Sequence, residues 1–171
     1  MILVSIGANL PGRDGQSPLE TCRWAAAALD ALPGLRLRGL SRWFATAPVL
    51  AAGDAGGQPD YVNGMAHLVP APGGGTVDPA ALLGRLMALE ATAGRMHGGR
   101  NAPRVLDLDI ITVSQQVRAA PDPVLPHPRA HQRAFVLVPL AEVAPGWVHP
   151  AMGRSVEALI AALQPQAVRP L

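Results

Sequence analysis

The chain has 171 residues, 49% of them hydrophobic and 15% charged, which allows one unstapled core and excludes a disordered chain. Its formal net charge is +2 and all 14 basic residues are arginine, so neither a lysine-bearing P-loop nor a lysine Schiff base is available. The one cysteine, Cys22, excludes an internal disulfide and a cysteine-rich zinc site.

Ile2 to Ala8 is a short apolar run rich in β-branched residues and reads as a buried strand. After a polar loop from Asn9 to Gln16, Ser17-Pro18-Leu19-Glu20 combines a capping box with proline at the first helical position. The helix is predicted to run to about Leu32, where Pro33-Gly34 stops it. Cys22 lies within it and is expected to pack. Rough alternation from Leu35 to Thr46 predicts one long half-buried strand, and Tyr61 to Val69 another. Asp78-Pro79 opens a second helix, with Leu82, Leu86, Leu89 and Ala93 as its core stripe and Gly94 as its stop. Val105 to Val113 is a further strand, and a last helix is expected from about Ser155 to Leu163.

Strand, helix, strand, strand, helix, strand is the order of an α+β, ferredoxin-like split βαβ sandwich. Its antiparallel sheet has helices on one face, and a small C-terminal extension follows. The expectation is a single domain over residues 1–171. No stretch approaches the roughly 20 apolar residues of a membrane span, and the start turns polar too soon for a signal peptide. The protein is therefore expected in the cytoplasm. Its scattered arginines argue against a nucleic-acid partner.

The sharpest local signal is Arg104-Val105-Leu106-Asp107-Leu108-Asp109-Ile110. Strand alternation sends Asp107 and Asp109 to one side and the three apolar residues to the other. Two carboxylates about 7 Å apart along a face suit hard cations, magnesium with nucleotide phosphates above all. Arg95, Arg100 and Arg104, in or beside a Gly-rich loop, add the guanidinium groups a polyphosphate needs. A solvent-facing acidic pair salt-bridged to those arginines fits the same residues. His127 and His131 have the spacing of a zinc helix, but Pro126 and Pro128 oppose a helix there.

Together with Leu125-Pro126-His127-Pro128 and Arg133-Ala134-Phe135-Val136-Leu137-x-Pro139-Leu140, this stretch resembles the signature of hydroxymethyldihydropterin pyrophosphokinases. Ser5-Ile6-Gly7-Ala8-Asn9-Leu10, Thr46-Ala47-Pro48-Val49, Gln58-Pro59-Asp60-Tyr61-Val62-Asn63 and Glu90 through Arg95 resemble further segments of that family, in its order.

The resemblance implies transfer of pyrophosphate from ATP to 6-hydroxymethyl-7,8-dihydropterin, by in-line attack on the β-phosphorus with release of AMP. It implies two Mg2+ ions on Asp107 and Asp109, with Arg95 and Arg104 closing on the phosphates. His127 and Arg133 would meet the triphosphate from the other side, and Glu90 and Ile110 would place the nucleoside. The pterin would stack between Tyr61 and Phe135, with Asn63 bonding its polar edge and Thr46, Ala47 and Val49 completing the pocket. A monomer is expected. His97, Asn101 and Pro128 depart from better-known members, which often carry arginine, tryptophan and an aromatic residue there. Two other classes remain beside this one: a non-catalytic pterin- or nucleotide-binding relative, and a different Mg2+-nucleotide transferase.

Overall fold

The computed structural model describes residues 1–48, 57–94 and 104–171. Its sheet is built around β1 (Ile2–Ala8), which is buried along its whole length. Antiparallel neighbours flank it: β5 (Asp107–Val113) on one side and β4 (Tyr61–Pro70) on the other. Beyond β4 lie β2 (Leu35–Leu40) and β3 (Phe44–Thr46), paired with opposite ends of that strand. This is the ferredoxin-like arrangement expected from the order of elements.

The predicted strand from Leu35 to Thr46 is interrupted at 41–43. Ser41 keeps the interruption tied to β4: its N–H donates to the Met65 carbonyl at 3.0 Å and its hydroxyl accepts from Met65 N at 2.9 Å. Trp43 packs so closely on Gly64 that a Cβ there would stand 2.6 Å from the indole ring. Only glycine tolerates that approach.

Two helices cover one face. The first, α1 (Pro18–Asp30), begins with the expected capping box: Ser17 N donates to Glu20 Oε2 at 2.7 Å and Ser17 Oγ accepts from Glu20 N at 3.3 Å. The second, α2 (Pro79–Ala93), is capped by Asp78, whose carboxylate accepts from Ala80 N and Ala81 N, and ends at Gly94 with φ 97°. Under these helices lie Ile2, Val4, Ile6 and Ala8 with Leu106, Leu108 and Ile110. Leu82 and Leu86 are buried against them, with Leu89 and Ala93 at the rim. Cys22 is fully buried here, and burial pushes its thiol up to about 12. A thiol reagent at mildly alkaline pH is therefore expected to leave native Cys22 unlabelled and to label it only in urea, as mass spectrometry would show.

The C-terminal extension covers the opposite face. A single 3-10 turn (Ala130–Gln132) leads into α3 (Ala134–Val143), and α4 (Val156–Ala161) packs beside it. Leu3, Met65 and Ile111 from the sheet meet Val136, Leu137, Leu140, Trp147, Val156 and Leu159. Ile111 continues the face of Asp107 and Asp109, and the β1–β5 register shift between Leu3 and Val4, which leaves it as an extra residue, turns Val113 to the α1–α2 side. The helix α3 was not among the sequence expectations. Its Pro139 cannot donate to the carbonyl four residues back, yet the helix continues because it is pinned on the sheet. The chain closes with β6 (Arg169–Pro170), a short strand added outside β3. No helix among the described residues is long and apolar enough to cross a membrane.

Candidate active site

The α3 face of the sheet changes character along its strands. Beneath α3 it presents Leu3, Met65 and Ile111. Towards the end of the sheet that α3 leaves uncovered, the same alternation presents Ser5 opposite Asp109, then Gly7 between Asp107 and Asn63. These residues floor a cleft of about 680 Å³, within the usual size of a small-molecule site. Gly7 keeps the floor low, since a Cβ there would stand 3.1 Å from Asn63 Oδ1.

One side of the cleft is charged. Asp107 and Asp109 are both partly open to solvent, with 28% and 40% of their side chains exposed. That exposure lets both carboxylates reach a ligand without a buried-charge penalty. Arg104 forms an ion pair with Asp107. Its backbone is anchored by buried Asn9: Arg104 N donates to Asn9 Oδ1 at 2.8 Å, and Asn9 Nδ2 donates to the Pro59 carbonyl at 3.1 Å. His127 Nε2 lies 3.9 Å from Asp109 Oδ2. Its Nδ1 accepts the Arg129 N–H at 3.2 Å, so the neutral ring carries its proton on Nε2, towards Asp109. Burial holds the imidazole pKa below the ordinary value, Asp109 opposes that, and Arg133 and Arg129 reinforce it.

Arg133 lies 5.4 Å above the Phe135 ring, a cation–π distance. Burial and then the neighbouring Arg129 lower its pKa. Among the described residues Arg129 has no ion pair. Three arginines and a histidine around two aspartates leave the charged side ready for an anion.

The other side is aromatic and polar-edged. Tyr61 and Phe135 both line it, with Thr46, Ala47 and Pro48. Burial and then the Asp107 carboxylate raise the Tyr61 phenol above its usual pKa, so it stays neutral. Asn63 is buried and its Nδ2 donates to Thr46 Oγ1 at 2.7 Å. That commits one of the two amide N–H donors and leaves Oδ1 able to accept from a ring N–H. Replacing Asn63 by alanine is expected to weaken binding of a flat ring with a polar N–H edge about tenfold, the cost of one buried hydrogen bond. Calorimetry with the reduced pterin that the sequence resemblance implies and, separately, with an ATP analogue would show whether the loss is confined to the aromatic side.

The cleft thus brings together Arg104, Asp107, Asp109, His127, Arg133, Thr46, Ala47, Tyr61, Asn63 and Phe135. Glu90 and Ile110 do not line it. Both are buried on the α1–α2 side, where Glu90 Oε1 accepts from Leu108 N at 2.8 Å and steadies the strand carrying both aspartates. Val49, Arg95, His97, Arg100 and Asn101 lie outside the described residues. Sequence reasoning missed Ser5, Gly7, Arg129, Gln132, Gln166, Ala167 and Val168 as lining residues. Alternation along β1 signals Ser5 and Gly7, and proximity to His127 signals Arg129. The residues after 163 carry no local signal.

The sequence model of the 7,8-dihydro-6-hydroxymethylpterin-pyrophosphokinase (HPPK) family matches residues 3–145. The chain belongs to this family. It is 35% identical over 169 residues to the 2-amino-4-hydroxy-6-hydroxymethyldihydropteridine pyrophosphokinase of Synechocystis sp., covering 99% of this chain and 79% of that protein. It is 36% identical over 161 residues to the enzyme of the same name from Pseudomonas aeruginosa, covering 94% and 90% respectively. Among solved structures, an HPPK-DHPS in complex with substrates superposes with a TM-score of 0.62 at 13% identity. The match covers 94% of this chain and 43% of that one, and the likeness is one of fold. Membership of the HPPK family agrees with the two-sided cleft, acidic and cationic at one side and aromatic at the other.

Proposed function

We propose that this cleft transfers pyrophosphate from Mg-ATP to the hydroxymethyl group of 6-hydroxymethyl-7,8-dihydropterin and releases AMP. The observation that carries the reading is the meeting, in one cleft of an HPPK-family chain, of Asp107 and Asp109 with arginines and of Tyr61, Phe135 and Asn63 with one another. A flat heteroaromatic ring takes aromatic surface and an amide edge, while a triphosphate takes guanidinium forks.

Asp107 and Asp109 would hold two Mg2+ ions. Two hard oxygens on one strand face, open to the cleft, suit a cation that keeps water and phosphate as its other ligands. Bound there, the ions would neutralise phosphate oxygens and act as Lewis acids. Arg104, Arg129 and Arg133 would spread the remaining charge of the triphosphate, and Arg95 is assigned the same task by family resemblance. His127, with its Nε2–H turned to the cleft, would donate to a phosphate oxygen. The pterin oxygen would attack the β-phosphorus in line as the bond to the α-phosphate oxygen breaks. A loose transition state of this kind depends mainly on positioning and charge.

The test is AMP release from Mg-ATP with and without the pterin alcohol. Pterin-dependent AMP, one per pyrophosphorylated pterin, is the expected result. AMP formed equally without pterin, or none with it, would overturn the reading.

A further inference from the structure

The family match ends at residue 145, yet the cleft does not: Gln166, Ala167 and Val168 line it from outside that span. We propose that the C-terminal segment 164–171 is a working wall of the active site, in which Gln166 is a positioning residue for Arg133 and Phe135 and the pair Ala167–Val168 bounds the pterin. The proposal rests on the function given above.

Gln166 acts through the start of α3. The first N–H groups of any helix lack partners within it, and Arg133, at the cap position, makes no side-chain capping bond. The missing acceptor comes from a remote part of the chain: Gln166 Oε1 accepts from Ala134 N at 2.8 Å. The same amide turns its Nε2 to the Gln132 carbonyl at 3.0 Å. One side chain therefore grips the backbone on both sides of Arg133. The residues it fixes are those whose side chains enter the cleft, Arg133 and Phe135, stacked on each other. An amide that both donates and accepts can do this, whereas a carboxylate lacks the donor.

The residues that follow are held by the sheet. Arg169 pairs with Ala45 and Pro170 with Phe44 in β6. Val168 and Ala167, directly before the paired residues, line the same cleft as Thr46 and Ala47. Leu171 N donates to the Trp43 carbonyl at 2.9 Å, and Arg169 reaches Asp60 at 2.8 Å, directly before Tyr61. The Arg169–Asp60 contact is exposed and adds little. The backbone pairing is the anchor. Ala167 and Val168 are small and apolar, so they close the cleft beside the pterin-side residues without offering a polar group.

Two variants test the proposal. In Gln166→Ala, amide exchange at Ala134 is expected to quicken about tenfold, the loss of one hydrogen bond. KM for ATP and for the pterin should each rise by a similar factor, about tenfold, with kcat within about twofold of wild type. Val168→Trp, at a partly exposed position away from the cap, should raise only the pterin KM. Wild-type substrate constants in both variants would overturn the proposal, whatever the exchange rates. Binding of α,β-methylene-ATP by calorimetry separates the two readings. If the wild-type protein makes no pterin-dependent AMP, the function is wrong, while weaker nucleotide binding and faster Ala134 exchange in Gln166→Ala still support the cap. Unchanged nucleotide binding there sinks it.

Discussion

Replacing Asp109 by alanine is expected to lower pterin-dependent AMP release by about a thousandfold, the scale of losing a transition-state charge partner. Asp107→Ala should do the same. The effect is chemical because both side chains stand at the open cleft and not in the core. Asp109 is 40% exposed, and its carboxylate meets His127 only at 3.9 Å. Asp107 is bridged by Arg104, and that partly exposed contact contributes little to stability. The strand beneath them is held by Leu108 and Ile110, buried on the other face, and by pairing with β1. Circular dichroism and urea midpoints should therefore match wild type while turnover disappears. Near-normal AMP release in both variants would remove the carboxylates from the reaction.

Leu137→Ala is expected to cost about 2–5 kcal/mol of stability, the range for a buried leucine that leaves a cavity. Leu137 is fully buried between α3 and the sheet, against a cluster that includes Leu3, Met65 and Ile111. The loss is a large share of the roughly 5–15 kcal/mol that a domain possesses. Urea unfolding should show a lower midpoint at an unchanged slope. Because Arg133 and Phe135 stand at the start of this helix, both substrate constants should also worsen, although Leu137 does not line the cleft.

The sequence made the first part of the fold readable because its signals there are local. Ser17 with Glu20, Asp78 with Pro79, and the left-handed Gly94 mark helix ends within one turn of chain. Alternation placed Asp107 and Asp109 on a common face, and β5 presents them as expected. At the break between β2 and β3 Trp43 meets Gly64 and Ser41 bonds Met65, contacts between distant positions that no local pattern reveals. Helix α3 was hidden for another reason. Ala134 to Val143 is apolar nearly all round and contains Pro139, so it shows neither a stripe nor an uninterrupted run of helix formers. Family resemblance supplied Glu90 and Ile110. In the fold their side chains lie behind the strand, where Glu90 braces β5 from its hidden side. The tail residues 166–168 were invisible because their role depends on pairing with β3 and on a helix start more than thirty residues earlier.

The central position of β1 has a kinetic consequence. The first strand of the chain is hydrogen-bonded along both edges, Ile2 to Leu68 on one and to Val113 on the other. During synthesis one edge must wait for residues 62–68 and the other for residues 107–113. Pairings this distant in sequence slow folding towards the millisecond-to-second range. They also leave Ile2 to Ile6 as the stretch most open to association with other unfinished chains, so aggregation during rapid expression should begin there.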